Sequence, residues 1–279
     1  MKEQEFKMVY LGSPVHHSKL VNVYKECCNA IQMKNDIEVF DVSLEEFYMK
    51  TAELKLETNV DICITLPHKV AAFNVCDELT ERAKIAGSVN VITNENGKYV
   101  GDNTDGVGFI ESNKAIHDVQ FEGKKILLIG AGGCARGLVQ QISKEYPSLF
   151  HVSGRQSNKF EKLKADFDSY YDDSFLLEDL PNIKYDVVIN ATSSSVNKTF
   201  LPLPARVLNQ ATSCLECAYS WNGQTSFAKW CYQNGVEKVY DGTTMLIEQA
   251  LFAMDFFKGA AVSRDKVHGL LGINKAAVA

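Results

Sequence analysis

The stretch "KKILLIGAGGCARG", residues 124–137, constrains this chain more than any other. A short, continuously apolar run is followed at once by closely spaced glycines and then by a helical pattern. That order describes a buried parallel strand, a tight turn and a helix. Gly130, Ala131, Gly132, Gly133 and Cys134 make up the turn. Backbone there can approach a pyrophosphate, and the first N–H groups of the helix point toward it. A glycine-rich turn can also be a tight turn and nothing more. The strand before it and the amphipathic helix after it favour a dinucleotide site.

The end of the next strand, "LFHVSG", bears on which dinucleotide. A site for NAD usually places Asp or Glu there, on the ribose 2′-hydroxyl. This chain has "SGRQSNK", residues 153–159. Arg155 stands where a 2′-phosphate would lie, and Lys159 can face it one turn into the helix; the plain alternative is a pair of solvated surface cations. NADP is the expected cofactor, with NAD possible.

Strand and helix signals alternate along the rest of the chain, which implies an α/β fold with right-handed crossovers into a mostly parallel sheet. "FKMVYLG", "IEVFDV" and "VDICITL" read as strands. Ser43 and Glu46 form a capping-box pattern, and Pro67 suits the first turn of a helix. "SVNVIT", "NENG" and "KYVGDN" read as a hairpin. Past Asp241, Leu246, Ala250, Ala253, Met254 and Phe257 fall on one face of a long helix with no strand after it. Two domains are expected. Residues 1–105 with 241–279 form an α/β substrate-binding and catalytic domain, completed by the lone C-terminal helix. Residues 106–240 form a Rossmann-type, doubly wound NADP-binding domain.

A net charge of −6 argues against nucleic acid or an anionic membrane as the main partner. "MKEQEFKMVYLG" lacks the apolar run of a signal peptide, and no stretch is long enough to span a bilayer. A cytoplasmic protein, monomer or homodimer, acting on a small molecule is expected. The eight cysteines are scattered among apolar residues, and the histidines lack ligand spacing. Buried, reduced thiols and no metal site are therefore expected.

Three polar residues stand in unusual places. Lys69, in "TLPHK", falls in the first turn of a helix, where the dipole disfavours a cation by roughly 0.3–1 kcal/mol. It is either a tolerant surface lysine or an ammonium tuned for proton exchange beside a carboxylate. Gln249 sits among apolar neighbours and needs a hydrogen-bond partner, from the protein or from a ligand. "GDNTDG", residues 101–106, offers Asp105 either as a helix cap or as a catalytic acid. Asn103 or Thr104 can cap in its stead, and Asp102 is read as local turn chemistry.

Taken together, "GSPVHHSK", "ITLPHK", "AGSVNV", "GDNTDG", "LLIGAGGCARG", "INATSSS", "AYSWNGQTSFAKW" and "DGTTMLIEQA" resemble the shikimate dehydrogenase family over nearly the whole chain. The resemblance implies NADP-linked reduction of 3-dehydroshikimate to shikimate in aromatic amino-acid biosynthesis. It implies Lys69 and Asp105 as the catalytic pair, and Ser18 and Tyr219 at the substrate carboxylate. It implies Thr65, Asn90 and Gln249 at the ring hydroxyls, and Gly242 near the nicotinamide. Gly130 through Cys134 match its pyrophosphate loop, and Arg155 its phosphate-binding arginine.

The departures bear on the substrate. Leu20 replaces the second serine of the family's Ser-x-Ser pattern, and a leucine cannot donate to a carboxylate. One such bond is worth on the order of 1.5–3 kcal/mol. Cys63 replaces Asn, Glu216 replaces Asp, Ser195 replaces Gly, Gly154 replaces Asn, and Lys159 replaces a second Arg. A paralogue acting on quinate or a related cyclic hydroxy acid, or a non-catalytic NADP-binding protein, is the alternative these changes raise.

Overall fold

The first strand is buried on both faces from Met8 onward and sets up the first layer of structure. The computed structural model describes residues 5–15, 18–57, 59–197, 199, 202–220, 224–258 and 262–273. His16 and His17 of "GSPVHHSK", and Trp221, Asn222 and Gly223 of "AYSWNGQTSFAKW", lie outside the described residues. Strand β1 (Glu5–Gly12) turns Phe6, Met8 and Tyr10 to one face and Val9 and Leu11 to the other. The chain continues through α1 (Leu20–Ala30), β2 (Lys34–Asp41), α2 (Leu44–Leu54), β3 (Asp61–Ile64) and α3 (Lys69–Val75). It goes on through β4 (Glu78–Leu79), α4 (Glu81–Ala86), β5 (Val91–Glu95), β6 (Lys98–Asp102) and α5 (Asp105–Ala115).

These strands form a six-stranded sheet in the order β2-β1-β3-β5-β6-β4. β1 runs parallel to β2 and β3, whereas β5 is antiparallel to both β3 and β6. This sheet is therefore mixed, with β4 also parallel to β6 and only β5 running against its neighbours. Asn96 (φ 57°) and Gly97 (φ 84°) close the two-residue hairpin expected between "SVNVIT" and "KYVGDN", which makes β5 and β6 antiparallel. The capping box of α2 forms, with Ser43 accepting from Glu46 N and donating its own N–H to the Glu46 carboxylate at 2.7 Å. Pro67 differs from expectation. It lies in a turn closed by His68 N to Thr65 O (3.0 Å), and the helix starts only at Lys69.

The second series is β7 (Lys125–Ile129), α6 (Gly133–Ser143), β8 (Leu149–Gly154), α7 (Asn158–Phe167), β9 (Asp173–Leu176), β10 (Val187–Asn190), β11 (Ser213–Glu216), α8 (Ser226–Gln233) and β12 (Lys238–Tyr240). Its sheet is parallel throughout, in the order β12-β11-β10-β7-β8-β9. The order reverses between β7 and β10, which is the switch point of a doubly wound fold. Leu127, Ile129, Val188 and Cys214 face Phe227 and Cys231 of α8 on one side of the sheet.

Two helices follow, α9 (Thr243–Lys258) and α10 (Arg264–Leu270), so the long C-terminal helix is not alone. "RDKVHGL" is short and mostly polar, and the side chain of Ser263 caps it by accepting from Lys266 N. The chain divides into two compact units, Met1–Gly108 with Leu246–Ala279, and Phe109–Met245; the boundaries fall inside α5 and α9. In the first unit, Ile247, Ala250, Met254 and Phe257 of α9 and Val267 of α10 share a core with β1 and α1. Phe47, Ala72 and Ala83 of α2, α3 and α4 cover the opposite face of the sheet. Among the described residues no helix is long and apolar enough to cross a membrane.

Candidate active site

Four of the residues singled out in the sequence join one hydrogen-bonded network in the first unit. Lys69 opens α3, directly after the turn that leaves β3. His68 pins that turn: its ring is buried, stacks on Phe47 at 4.9 Å and places Nε2 2.8 Å from Val42 O. Lys69 Nζ donates to both carboxylate oxygens of Asp105, at 2.8 and 2.6 Å. The carboxylate offsets the unfavourable place of an ammonium at a helix start. Asp105 is free of capping duty, because its own N–H donates to Asn103 Oδ1 at 3.2 Å. Side-chain exposure is 16% for Lys69 and 4% for Asp105, so the pair interacts largely out of water.

Asn90, just before β5, ties the pair to the C-terminal segment. Its Nδ2 lies within donating distance of Asp105 Oδ1 (3.2 Å), Thr104 Oγ1 (2.9 Å) and Gln249 Oε1 (3.0 Å). Its Oδ1 accepts from Thr104 N at 2.9 Å. Gln249 completes its amide by donating Nε2 to Leu246 O at 3.1 Å. Gly108 makes this meeting of α5 and α9 possible. A Cβ there would lie 2.5 Å from Gln249 N, closer than real contacts allow. Thr104, fully buried, also reaches Gln249 Oε1 at 3.4 Å and is a network member the sequence reading treated only as a cap. Its position between Asn103 and Asp105 is the signal that could have found it.

Asp102 needs correction. Its Oδ1 does accept from Asn103 N at 2.7 Å, as turn chemistry would have it. Yet the carboxylate is fully buried and is held by both ends of the Arg82 guanidinium and by the Thr80 hydroxyl. It is an internal ion pair that fixes α4 to β6. An Arg 20 positions away leaves no local pattern to read.

Ser18 and Thr65 flank the same ends of β1 and β3. Thr65 N donates to Leu11 O at 2.9 Å, and Tyr10 is the register partner of Cys63. Ser18 Oγ accepts from the Tyr10 hydroxyl at 3.0 Å and from Leu20 N at 3.3 Å. Leu20 is buried in the apolar layer with Met8, Tyr10 and Val23. Cys63 receives the Tyr24 hydroxyl at 3.6 Å, and burial pushes its thiol up to about 12, so it remains a neutral thiol.

The remaining residues lie in the second unit. The turn between β7 and α6 is shorter than the sequence implies: Gly130 to Gly132 form it, with Gly132 at the helix cap, and Gly133 and Cys134 are the first two residues of the helix. Arg155 follows β8 and Lys159 lies in the first turn of α7; both are exposed and make no hydrogen bond or ion pair with described residues. Gly242 N donates to Ala218 O at 2.9 Å, which brings it next to the segment carrying Tyr219. Glu216 is buried, accepts from Asn190 Nδ2 at 2.9 Å and from Thr225, and burial raises its carboxyl above the usual range. Ser195 Oγ lies 3.1 Å from Ser226 Oγ. The turn fits a dinucleotide: a Cβ on Gly132 would meet nothing within 4 Å, so the helix start there is open to an approaching phosphate. Among the described residues no cluster of His, Cys, Asp or Glu could hold a metal ion.

Comparison with known proteins agrees with this layout. Residues 10–92 match the family model described as "Shikimate dehydrogenase substrate binding domain". Residues 111–199 match "Shikimate / quinate 5-dehydrogenase". A protein of Shewanella woodyi named shikimate dehydrogenase (NADP(+)) is 34% identical, over 93% of this chain and 94% of its own. One of the same name from Colwellia psychrerythraea is 33% identical, over 89% of this chain and 90% of its own. The crystal structure of an enzyme from Pseudomonas putida superposes with a TM-score of 0.84 at 28% identity, covering 96% of this chain and 98% of that one. With relatives this similar over almost its full length, the chain belongs to the shikimate dehydrogenase family.

Proposed function

We propose that this protein catalyses the reversible, NADP-linked reduction of 3-dehydroshikimate to shikimate, in the cytoplasm, as a step of aromatic amino-acid biosynthesis. The observation that carries this reading is the Lys69–Asp105 pair joined to Asn90 and Gln249 in a chain of the shikimate dehydrogenase family. Eight free cysteines are in keeping with a reducing compartment.

The first unit carries the substrate-binding residues other than Tyr219, and the second carries those for NADP. Ser18 and Tyr219 hold the substrate carboxylate, and Thr65, Asn90 and Gln249 hold its ring hydroxyls. The segment Gly130–Cys134 takes the pyrophosphate, Arg155 and Lys159 take the 2′-phosphate, and Gly242 lies by the nicotinamide. When bound, the cofactor supplies or accepts the hydride at the ring carbon. Lys69 Nζ stabilises the alkoxide that develops on the carbonyl oxygen and hands it a proton. Asp105 keeps that amine charged and aimed. Asn90, bonded to Asp105 and Gln249 alike, keeps the carboxylate from turning away.

The test is a panel of initial rates with shikimate and quinate, each with NADP and NAD. The highest kcat/KM is expected for shikimate with NADP. No turnover of shikimate, with either cofactor, would end this reading.

A further inference from the structure

We propose that Asn103 is a positioning residue for the proton-handling step: it fixes the start of α5 against residues 88–90 and so aims the Asp105 carboxylate at Lys69. This rests on the functional reading above, in which Lys69 and Asp105 act together. The two residues open different helices, 36 positions apart, and meet through bonds of 2.8 and 2.6 Å. Such a geometry holds only while the two backbones are fixed relative to one another. The segment that leads into β5 supplies the frame. Val89 N donates to Lys69 O at 2.8 Å, and Asn90 Nδ2 reaches Asp105 Oδ1 at 3.2 Å. The backbone of Asp105 is tied to the same segment through Asn103.

Asn103 is 3% exposed, and its amide is engaged at both ends. Nδ2 donates to Ser88 O at 3.0 Å and lies 2.9 Å from Ser88 Oγ, while Oδ1 accepts from Asp105 N at 3.2 Å. The orientation of the amide follows from its partners. A backbone carbonyl only accepts, so the NH2 side must face Ser88 O, and the oxygen is left for Asp105. The backbone N–H of Asn103 donates to Asp102 Oδ1 at 2.7 Å, on the carboxylate that Arg82 and Thr80 hold. Asn103 is thus fixed through its backbone and its side chain, and it passes that hold to the first N–H of α5. Helix capping would account for the bond to Asp105 N alone. It does not call for the two contacts back to Ser88. The Lys69 carbonyl, residues 88–90, the Asn103 amide and the Asp105 N–H form one connected series. Removing the amide takes the acceptor from a buried N–H and loosens the helix start that carries the carboxylate.

The experiment compares the unaltered protein, Asn103→Ala, Asn103→Ser, Asp105→Asn and the double variant of Asn103→Ala with Asp105→Asn. One readout is steady-state kinetics with shikimate and NADP, expressed per folded molecule. The other is the rate of reductive methylation of Lys69 by formaldehyde and cyanoborohydride, read by peptide mass spectrometry against the exposed Lys162. Asn103→Ala is expected to lower kcat roughly tenfold to a hundredfold, with KM for shikimate within about twofold. It is also expected to speed methylation of Lys69 several-fold, because the ammonium loses its aimed partner. Serine keeps an oxygen able to accept the N–H two residues on, so Asn103→Ser should fall between; where the alanine variant does not fold, the serine variant carries the comparison. Once Asp105 is Asn, Asn103→Ala should change neither readout further. Unchanged Lys69 methylation, a serine variant no better than alanine, or an undiminished effect in the Asp105→Asn background would overturn the proposal. A lower unfolding midpoint with kcat per folded molecule unaltered would overturn it too, by making Asn103 structural only. Protein that does not turn over shikimate defeats the functional reading, and Lys69 methylation then decides the role of Asn103 by itself.

Discussion

Asn90 Nδ2 lies 3.0 Å from Gln249 Oε1, across 159 positions of sequence. This one bond joins the residue that leads into β5 to helix α9, and both residues are almost fully buried. Neither amide is satisfied by its own element alone. Asn90 spends its donor on Thr104, Asp105 and Gln249, and Gln249 returns its own to the backbone at Leu246. A polar cluster buried this deeply is stable only when each member is paired, so the C-terminal segment is part of the site's structure and not an appendage to it.

The two helix starts that carry glycines should respond to alanine in opposite ways. Gly108→Ala places a methyl 2.5 Å from the Gln249 backbone, so α5 and α9 must separate. A loss of about 1–3 kcal/mol of stability is expected, with turnover falling because Gln249 moves. Gly132→Ala meets no protein atom within 4 Å, so its stability should change by less than about 1 kcal/mol while NADP affinity drops. Thermal unfolding with and without NADP separates the two, and a destabilised Gly132→Ala with normal cofactor affinity would contradict the assignment of the turn.

Arg155 is exposed and unengaged by described residues, which suits a group held for a ligand phosphate. Arg155→Ala should raise KM for NADP by roughly tenfold to a hundredfold, the worth of a charge-assisted bond, and barely alter KM for NAD. Equal effects on the two cofactors would remove the 2′-phosphate from Arg155.

His117 gives the second unit an acid-sensitive element. Burial pulls its imidazole down to about 4, while Nε2 stays 2.8 Å from Thr244 Oγ1 and the ring stacks on Tyr240 at 4.3 Å. The unfolded chain takes up a proton near pH 6.5 and the folded chain does not until about 4. Stability therefore falls as pH drops through that window, by at most about 1.4 kcal/mol per pH unit. In His117→Phe the urea midpoint should change less between neutral pH and pH ~5 than in the unaltered protein. Parallel changes in both proteins would assign the acid sensitivity elsewhere.

The sequence made some of this architecture legible and hid the rest for physical reasons. β7 is a continuous apolar run after its first residue, and the Asn96–Gly97 turn can hardly be anything but a tight hairpin. β4 has two residues and β9 is "DSFL", too short and too polar to stand out, and α10 was missed for the same reason. Lys69 and Gln249 drew notice because each violates a local rule, an ammonium at a helix start and an amide on an apolar face. Arg82 violates nothing locally, and its burial partner Asp102 is brought to it only by the sheet. Leu20 reads in sequence as a lost hydroxyl. In the structure its side chain is core, while its backbone N–H and the Tyr10 hydroxyl of β1 both donate to Ser18 Oγ.

The account turns on Asp105 and Lys69 acting together on a proton. The most direct test is kcat for shikimate oxidation by Asp105→Asn, followed by absorbance of the reduced cofactor, with unfolding monitored in parallel. Asparagine keeps the size of the side chain and removes the charge that holds Lys69 Nζ at 2.6 Å. A fall in kcat of about 10²–10⁴-fold with the unfolding midpoint little changed is the predicted result. Turnover close to that of the unaltered protein would contradict it.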